Sequence, residues 1–175
     1  MTVKLILERE DGMSKVFNVL VLCTGNSARS ILGEMLFKHL GKGRIQAWSA
    51  GSKPGGQVNS VALETLAKHG IPVSDARSKS WDEFSIPSSP RIDFIFTVCG
   101  NAAAETCPVW PGHPATAHWG ICDPAHVEPM AARREAFEEA YQSLKKRIEA
   151  FLALPLETMT PQEAALAARR IHGGE

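Results

Sequence analysis

Residues 16–30 read VFNVLVLCTGNSARS, and the change of character inside that stretch decides the fold. Val16–Cys23 is β-branched and apolar on both faces, the pattern of a strand buried within a parallel sheet. It runs into a polar turn. An amphipathic helix follows, with Leu32, Met35, Leu36 and Leu40 at helical spacing and Gly41 to stop it. The alternation then repeats. Ile45–Ala50 reads as a second strand, GSKPGG as a loop, and Val61–His69 as a second helix bounded by Asn59 or Ser60 in front and Gly70 behind. Ser80-Trp-Asp-Glu83 has the spacing of a capping box for a brief third helix. Ile92–Cys99 is a third buried strand and Thr116–Trp119 a fourth. This order predicts an α/β fold: an open four-stranded parallel sheet with helices on both faces.

The longest helix is expected from about Pro129 to Leu154, with Phe137, Tyr141, Leu144, Ile148 and Phe151 on one face and charge opposite. Pro129 suits an early helical position and Pro155 a stop. Thr160-Pro-Gln-Glu163 opens a last helix ending near Gly173. Its face is mostly alanine, which leaves open whether it packs on the body or on a partner. The expected organisation is an N-terminal extension at 1–14, one catalytic domain at 15–154 and a C-terminal helical extension at 155–175. Residues 1–14 read either as a start-site extension ahead of Met13 or as an edge strand through Val3, Leu5 and Leu7.

A chain of 175 residues suits one domain. Nineteen basic residues balance nineteen acidic ones, so the charge excess of a dedicated nucleic-acid or membrane-surface binder is lacking. The longest apolar run, Val16–Cys23, falls far short of the roughly 20 residues that span a bilayer. No secretory signal is visible in the first residues, so a cytoplasmic setting is expected. Four cysteines are too few for a disulfide scaffold, and in a reducing compartment they are free at rest. Each is then either an inert core residue or a working one.

Sheets of this kind bind ligands at the carboxyl ends of their strands, where the strand order reverses. The first and third buried strands end at Cys23 and Cys99. If they are neighbours, two thiols far apart in sequence emerge at one sheet edge. Cys23-Thr24-Gly25-Asn26-Ser27-Ala28-Arg29-Ser30 opens a helix directly after a strand, which favours anion binding. First-turn amides lack intrahelical partners and the helix dipole adds positive potential. Gly25 lets the backbone curl close to a ligand. Arg29 offers a planar fork to two oxygens of a tetrahedral anion. The same field is expected to lower the Cys23 pKa and make the thiolate its resting form, with Ser30 donating to the sulfur. No GxxxxGK[ST] or post-strand GxGxxG is present, so nucleotide binding has little support.

Cys-x5-Arg-Ser at this place, with GNS inside the loop, resembles the low-molecular-weight protein tyrosine phosphatase fold. The resemblance implies an acid in a downstream Asp-Pro pair, and Asp123-Pro124 supplies it. Two features depart from a phosphatase: Ala28 stands where a second Cys is usual before the Arg, and Ala125 where an aromatic residue is typical. The stretches TVCGNAAAETCPVWPG and HWGICDPA resemble instead the arsenate reductases built on the same fold, over most of residues 16–152. That resemblance implies reduction of arsenate to arsenite, with Cys23, Arg29, Cys99, Cys107 and Asp123 as catalytic residues. Thr24, Gly25, Asn26, Ser27, Ala28 and Ser30 would bind the oxyanion. It implies no cofactor and no metal, and thioredoxin, or glutathione with glutaredoxin, as the reductant. In the implied relay Cys99 attacks the Cys23 adduct, and Cys107 resolves the resulting disulfide.

The Cys99–Cys107 spacing is one residue longer than in the thioredoxin-linked branch. Cys122 has no counterpart and is read as a packed bystander. In some relatives an Asn, a Glu, a Ser and an Asp help bind potassium beneath the loop. Asn26, Glu34 and Ser49 match, but Lys79 falls about where the Asp would be, so its ammonium is expected to replace the cation. Rival readings are a phosphomonoesterase, which has no use for Cys99 and Cys107, a non-catalytic anion-binding protein, and a zinc site among Cys99, Cys107, His113, His118, Cys122 and His126. The zinc spacing fits no common module. Trp110 and Trp119 read as packing residues.

Residues 100–106 carry three consecutive alanines and read as a short helix. Eight helical residues rise about 12 Å, whereas a disulfide needs Cα atoms roughly 4.4–6.8 Å apart. Oxidation of Cys99 with Cys107 is therefore expected to melt that helix. Amide exchange should show lost protection there in the oxidised protein; equal protection in both redox states would contradict the pairing.

Overall fold

β1 (Phe17–Cys23) lies inside a four-stranded parallel sheet ordered β2–β1–β3–β4, which explains why its sequence is apolar on both faces. The computed structural model describes residues 15–99 and 114–173. Val19 and Val21 point into the larger core, and Leu20 and Leu22 into a smaller one on the opposite face. β2 (Ile45–Gly51) pairs along the whole of β1, with Cys23 opposite Gly51. β3 (Phe94–Thr97) pairs on the other side, with Leu22 opposite Thr97, and β4 (Ala115–His118) forms the far edge.

α1 (Arg29–Leu40) carries the chain from β1 to β2 and buries Leu32, Met35 and Leu36. α2 (Ser60–Lys68) and α3 (Met130–Leu152) pack on the same side. The face of α3 anticipated from sequence, Phe137, Tyr141, Leu144, Ile148 and Phe151, is buried throughout. The chain returns to β3 past the other face through a one-turn 3-10 helix at Trp81–Phe84, whose Trp81 and Phe84 close over Leu20, Leu22 and Ile95. Connections from β1 and β2 thus depart in opposite directions, and the order reverses between β1 and β3.

The capping box expected at Ser80 is only half formed. Ser80 Oγ accepts from Asp82 N at 3.2 Å, but Glu83 forks onto Arg77 instead, with two contacts of 2.9 Å. A two-pronged charged partner outcompetes a single backbone amide. At α4 (Pro161–Gly173) the box is complete: Glu163 N donates to Thr160 Oγ1 and Thr160 N to Glu163 Oε2. The alanine face of α4 packs on the body. Ala164, Ala165 and Ala168 are buried, Trp119 Nε1 donates to Ala168 O at 2.8 Å, and Arg169 donates to Thr116 O at 3.0 Å. Small side chains let this helix approach β4 closely enough to cover it.

Residues 1–14 lie outside the described residues, as do the expected helix at 100–106, Cys107, Trp110 and His113.

Candidate functional site

The turn after β1 is held by Asn26. Its φ of 44° makes it left-handed, the one such non-glycine among the described residues. Asparagine tolerates that region better than other side chains. The conformational demand that the sequence placed on Gly25 falls on Asn26 instead. The Asn26 side chain is fully buried and spends its amide on three partners. Nδ2 donates to Ser30 Oγ and Ser49 Oγ, each at 2.9 Å, and Oδ1 accepts from Lys79 N at 2.8 Å.

Three carbonyls of the turn are drawn outward. Thr24 O accepts from Lys53 N at 2.9 Å, Gly25 O from Gly55 N at 3.0 Å, and Ser27 O from Asn59 N at 2.8 Å. Their lone pairs are engaged away from the concave side, where an anion would be repelled by them. α1 begins at Ala28 with no side-chain cap, so its first amides carry no side-chain acceptor. Gly51 makes the packing possible: a Cβ there would lie 2.3 Å from Thr24 O. The sequence reading placed Gly51 at the head of a loop. A glycine closing a strand was the signal for this close backbone approach.

Cys23, Thr24, Gly25, Ser27, Ala28 and Arg29 line a pocket of about 340 Å³, joined by Asp123, Ala125, His126 and Asn59. Asn26 and Ser30 sit buried beneath it. Arg29 connects the loop to the acid: NH1 donates to Ile121 O at 3.0 Å and NH2 lies 3.5 Å from Asp123 Oδ2. Asp123 Oδ1 also accepts from Ala125 N at 3.0 Å. A larger cavity of about 560 Å³ against α3 shares Asp123 with this pocket and is also lined by Cys122, but contains neither Cys23 nor Arg29.

Cys23 and Cys99 meet. Cys99 is buried just past β3, close enough to Cys23 to influence its thiol, with Thr24 Oγ1 at 3.5 Å from Cys99 Sγ. Ser30 Oγ lies 3.1 Å from Cys23 Sγ, and Asn26 N donates to that sulfur at 3.3 Å. The Cys99 hydrogen bond and burial push the Cys23 thiol well above the usual range, and Ser30 and Asn26 pull against them. This corrects the expectation of a resting thiolate. With the loop unliganded, a neighbouring thiol and a dry environment outweigh the hydroxyl and amide donors.

Cys122 is corrected as well: it is exposed rather than packed, while its neighbour Ile121 turns inward. Among the described residues no group of three His, Cys, Asp or Glu side chains is placed to hold a metal. Nor does the donor set beneath the loop suit potassium. The Lys79 ammonium is buried 3.6 Å from Glu34 Oε1, donating to Arg77 O at 3.0 Å, and Ser49 Oγ donates to Glu34 Oε2 at 3.1 Å. A positive charge already faces the carboxylate. Burial pushes Glu34 up and Lys79 down, and each offsets part of that shift in the other.

Residues 18–164 match the model of the family described as low molecular weight phosphotyrosine protein phosphatase. An arsenate reductase of Shouchella clausii is 36% identical over 131 residues, 74% of this chain and 91% of that protein. A thioredoxin-dependent arsenate reductase of Corynebacterium glutamicum superposes with a TM-score of 0.54 at 28% identity, covering 78% of this chain and 63% of that one. A low molecular weight protein tyrosine phosphatase from T. tengcongensis gives a TM-score of 0.60 at 26% identity, covering 76% and 98%.

Two outcomes follow from the sulfur pair and the buried lysine. Because its pKa is raised, Cys23 should be mostly protonated at neutral pH. Its alkylation by iodoacetamide should climb only through the alkaline range, and Cys99→Ala should move the midpoint down. A wild-type midpoint near or below neutrality would contradict this ordering. Because Lys79 occupies the cation's place, oxyanion affinity and thermal stability should be equal in sodium and potassium buffers of matched ionic strength. A specific gain with potassium would overturn that assignment.

Proposed function

The chain belongs to the low molecular weight phosphotyrosine protein phosphatase family, and on that premise we propose that it reduces arsenate to arsenite through a three-cysteine relay. The observation that carries this reading is the buried Cys99, brought from the strand beside β1 close enough to Cys23 to push its thiol up. A phosphatase working through Cys23, Arg29 and Asp123 hydrolyses its adduct with water and needs no thiol delivered from the end of β3.

Arsenate resembles phosphate in charge and shape, so the same loop would take it, with Arg29 turning its fork from Asp123 to the substrate oxygens. The Cys23 proton has an acceptor in the substrate itself: a dianionic HAsO4 takes it and becomes the monoanion. The thiolate then attacks arsenic. The As–O bond opposite breaks, Asp123 protonates the departing oxygen, and water leaves. The Cys23–As(V) adduct remains. Cys99 gives its proton to an arsenic-bound oxygen and, as thiolate, attacks Cys23 Sγ. The S–As bond breaks, its electron pair stays on arsenic, and arsenite departs as As(III) while the two sulfurs are oxidised to a disulfide. Cys107, outside the described residues, would attack Cys99 and free Cys23. A Cys99–Cys107 disulfide suits an external dithiol such as thioredoxin, and the likeness to a thioredoxin-dependent reductase supports that choice over glutathione with glutaredoxin. No described helix is long and apolar enough to cross a membrane, in keeping with a proposed cytoplasmic setting.

The phosphomonoesterase reading shares the first half of this scheme, so Cys99 separates the two. Cys99→Ser should abolish arsenate turnover with thioredoxin, thioredoxin reductase and NADPH, yet leave weak p-nitrophenyl phosphate hydrolysis within about threefold. Cys107→Ser should release one arsenite per enzyme and stop with Cys23 and Cys99 oxidised, read by mass spectrometry of trapped thiols. Full arsenate turnover by Cys99→Ser would sink the relay.

A further inference from the structure

Two polar side chains in the oxyanion pocket, Asn59 and His126, have no part in the scheme above, and Asn59 is the one tied to the anion loop. Asn59 stands at the N-terminus of α2 and lines the pocket with Cys23, Arg29 and Asp123. Its Oδ1 accepts from Val61 N at 2.9 Å and Ala62 N at 3.4 Å, and its backbone N–H donates to Ser27 O in the loop itself. Those bonds do two things. They tie the residue to the anion loop, and they fix which end of the amide faces where. Turning the amide over would set an NH2 group against two N–H donors. With Oδ1 held at the helix end, Nδ2 is the end of the amide left over for a residue that lines the pocket, and no hydrogen bond from it to a described group is found. The cap also takes up the first amides of α2, so whatever Asn59 offers an anion is its side chain and not that helix terminus.

There is room for this contact. A tetrahedral oxyanion fills roughly the space of three or four waters at about 30 Å³ each. The pocket of about 340 Å³ therefore extends well beyond what the loop amides and Arg29 enclose. Ala125, where related phosphatases carry an aromatic ring, leaves that outer space open.

We propose that Asn59 is a specificity-determining residue, donating through Nδ2 to an outer oxygen of the bound oxyanion from an orientation locked by its capping of α2. An N–H donor is worth more to a charged oxygen than to an ester oxygen, so Asn59 favours the free oxyanion over a monoester. The assignment rests on the reading of the loop as an oxyanion site, and it deepens that reading by naming the group that selects the substrate.

Aspartate and serine cap helices about as well as asparagine. Asn59→Asp thus keeps the cap but sets a carboxylate oxygen where Nδ2 was, and Asn59→Ser keeps the cap without the reaching donor. Both should melt within a few degrees of wild type. Asn59→Asp should weaken inorganic phosphate binding, read by titration calorimetry, and raise the arsenate KM by roughly tenfold or more, with kcat within about threefold. Asn59→Ser should raise the arsenate KM several-fold while moving the p-nitrophenyl phosphate KM less than about twofold. If both variants fold and bind phosphate and arsenate as wild type does, Asn59 is a structural cap and the proposal is wrong. Phosphate binding needs no turnover, so the two readings fail separately. A wild type that binds phosphate but reduces no arsenate would remove the reductase, and weaker phosphate binding in Asn59→Ser, which keeps the cap and adds no charge, would still uphold the selecting donor. A wild type that binds no phosphate would overturn both.

Discussion

The buried Asn26 amide fixes the loop in a way no regular element could. A left-handed residue turns the chain sharply enough for backbone amides to face a common centre, but it leaves the turn without the hydrogen bonds of a helix or sheet. Asn26 replaces them with side-chain bonds to Ser30, Ser49 and the backbone of Lys79. Those partners belong to three parts of the chain: the start of α1, strand β2 and the crossing segment before the 3-10 turn. The loop is therefore fastened from below by tertiary structure, and its upper side stays open for a ligand. Gly51 has the complementary role. Only a residue without a Cβ lets β2 run so near Thr24 O.

The sheet topology turns that loop into a two-sulfur site. Strands β1 and β3 are hydrogen-bonded neighbours, with β2 on the outer side of β1 and β4 on the outer side of β3, so the strand order reverses between them and their carboxyl ends border one crevice. Cys23 and Cys99 both belong to that crevice. Their contact raises the Cys23 thiol, which separates two properties often assumed to go together. A sulfur can sit at a helix N-terminus and still hold its proton when a second thiol and a dry core surround it.

The strands, the main helices and the strand-to-helix site were legible because they rest on periodicity and on the local context of residues 16–30. β1 was readable from both faces being apolar, and α3 from its five large side chains at helical spacing. What escaped were choices between competing partners. Glu83 left the Ser80 box for Arg77 because a guanidinium fork lay within reach, and nothing in four residues of sequence reveals that fork. The Cys23 pKa was misjudged because local context shows the helix end but not the thiol delivered by residue 99. Cys122 was expected inside from the burial habits of cysteine, yet the loop after β4 turns Ile121 inward in its place. Asn59 or Ser60 was expected to open α2; the structure gives the cap to Asn59 and sets it against the anion loop.

Beneath the loop, Lys79 and Glu34 show how this chain meets a need for positive charge from within. Glu34 is almost completely buried, and an unpaired carboxylate there would tend to take up a proton. Lys79 answers with an ammonium at 3.6 Å, and Lys38 adds another charge at 3.5 Å from the partly exposed end of α1. Both members of the buried pair are pushed toward neutrality by desolvation and held charged by each other, so removing either strands the other. Ser49 links this pair to Asn26, and Asn26 to the loop, which makes the charge state of Glu34 a condition on loop geometry. A covalently tethered ammonium cannot dissociate as a bound ion can. The positive charge under the loop is thus supplied by the chain itself, at 3.6 Å from Glu34.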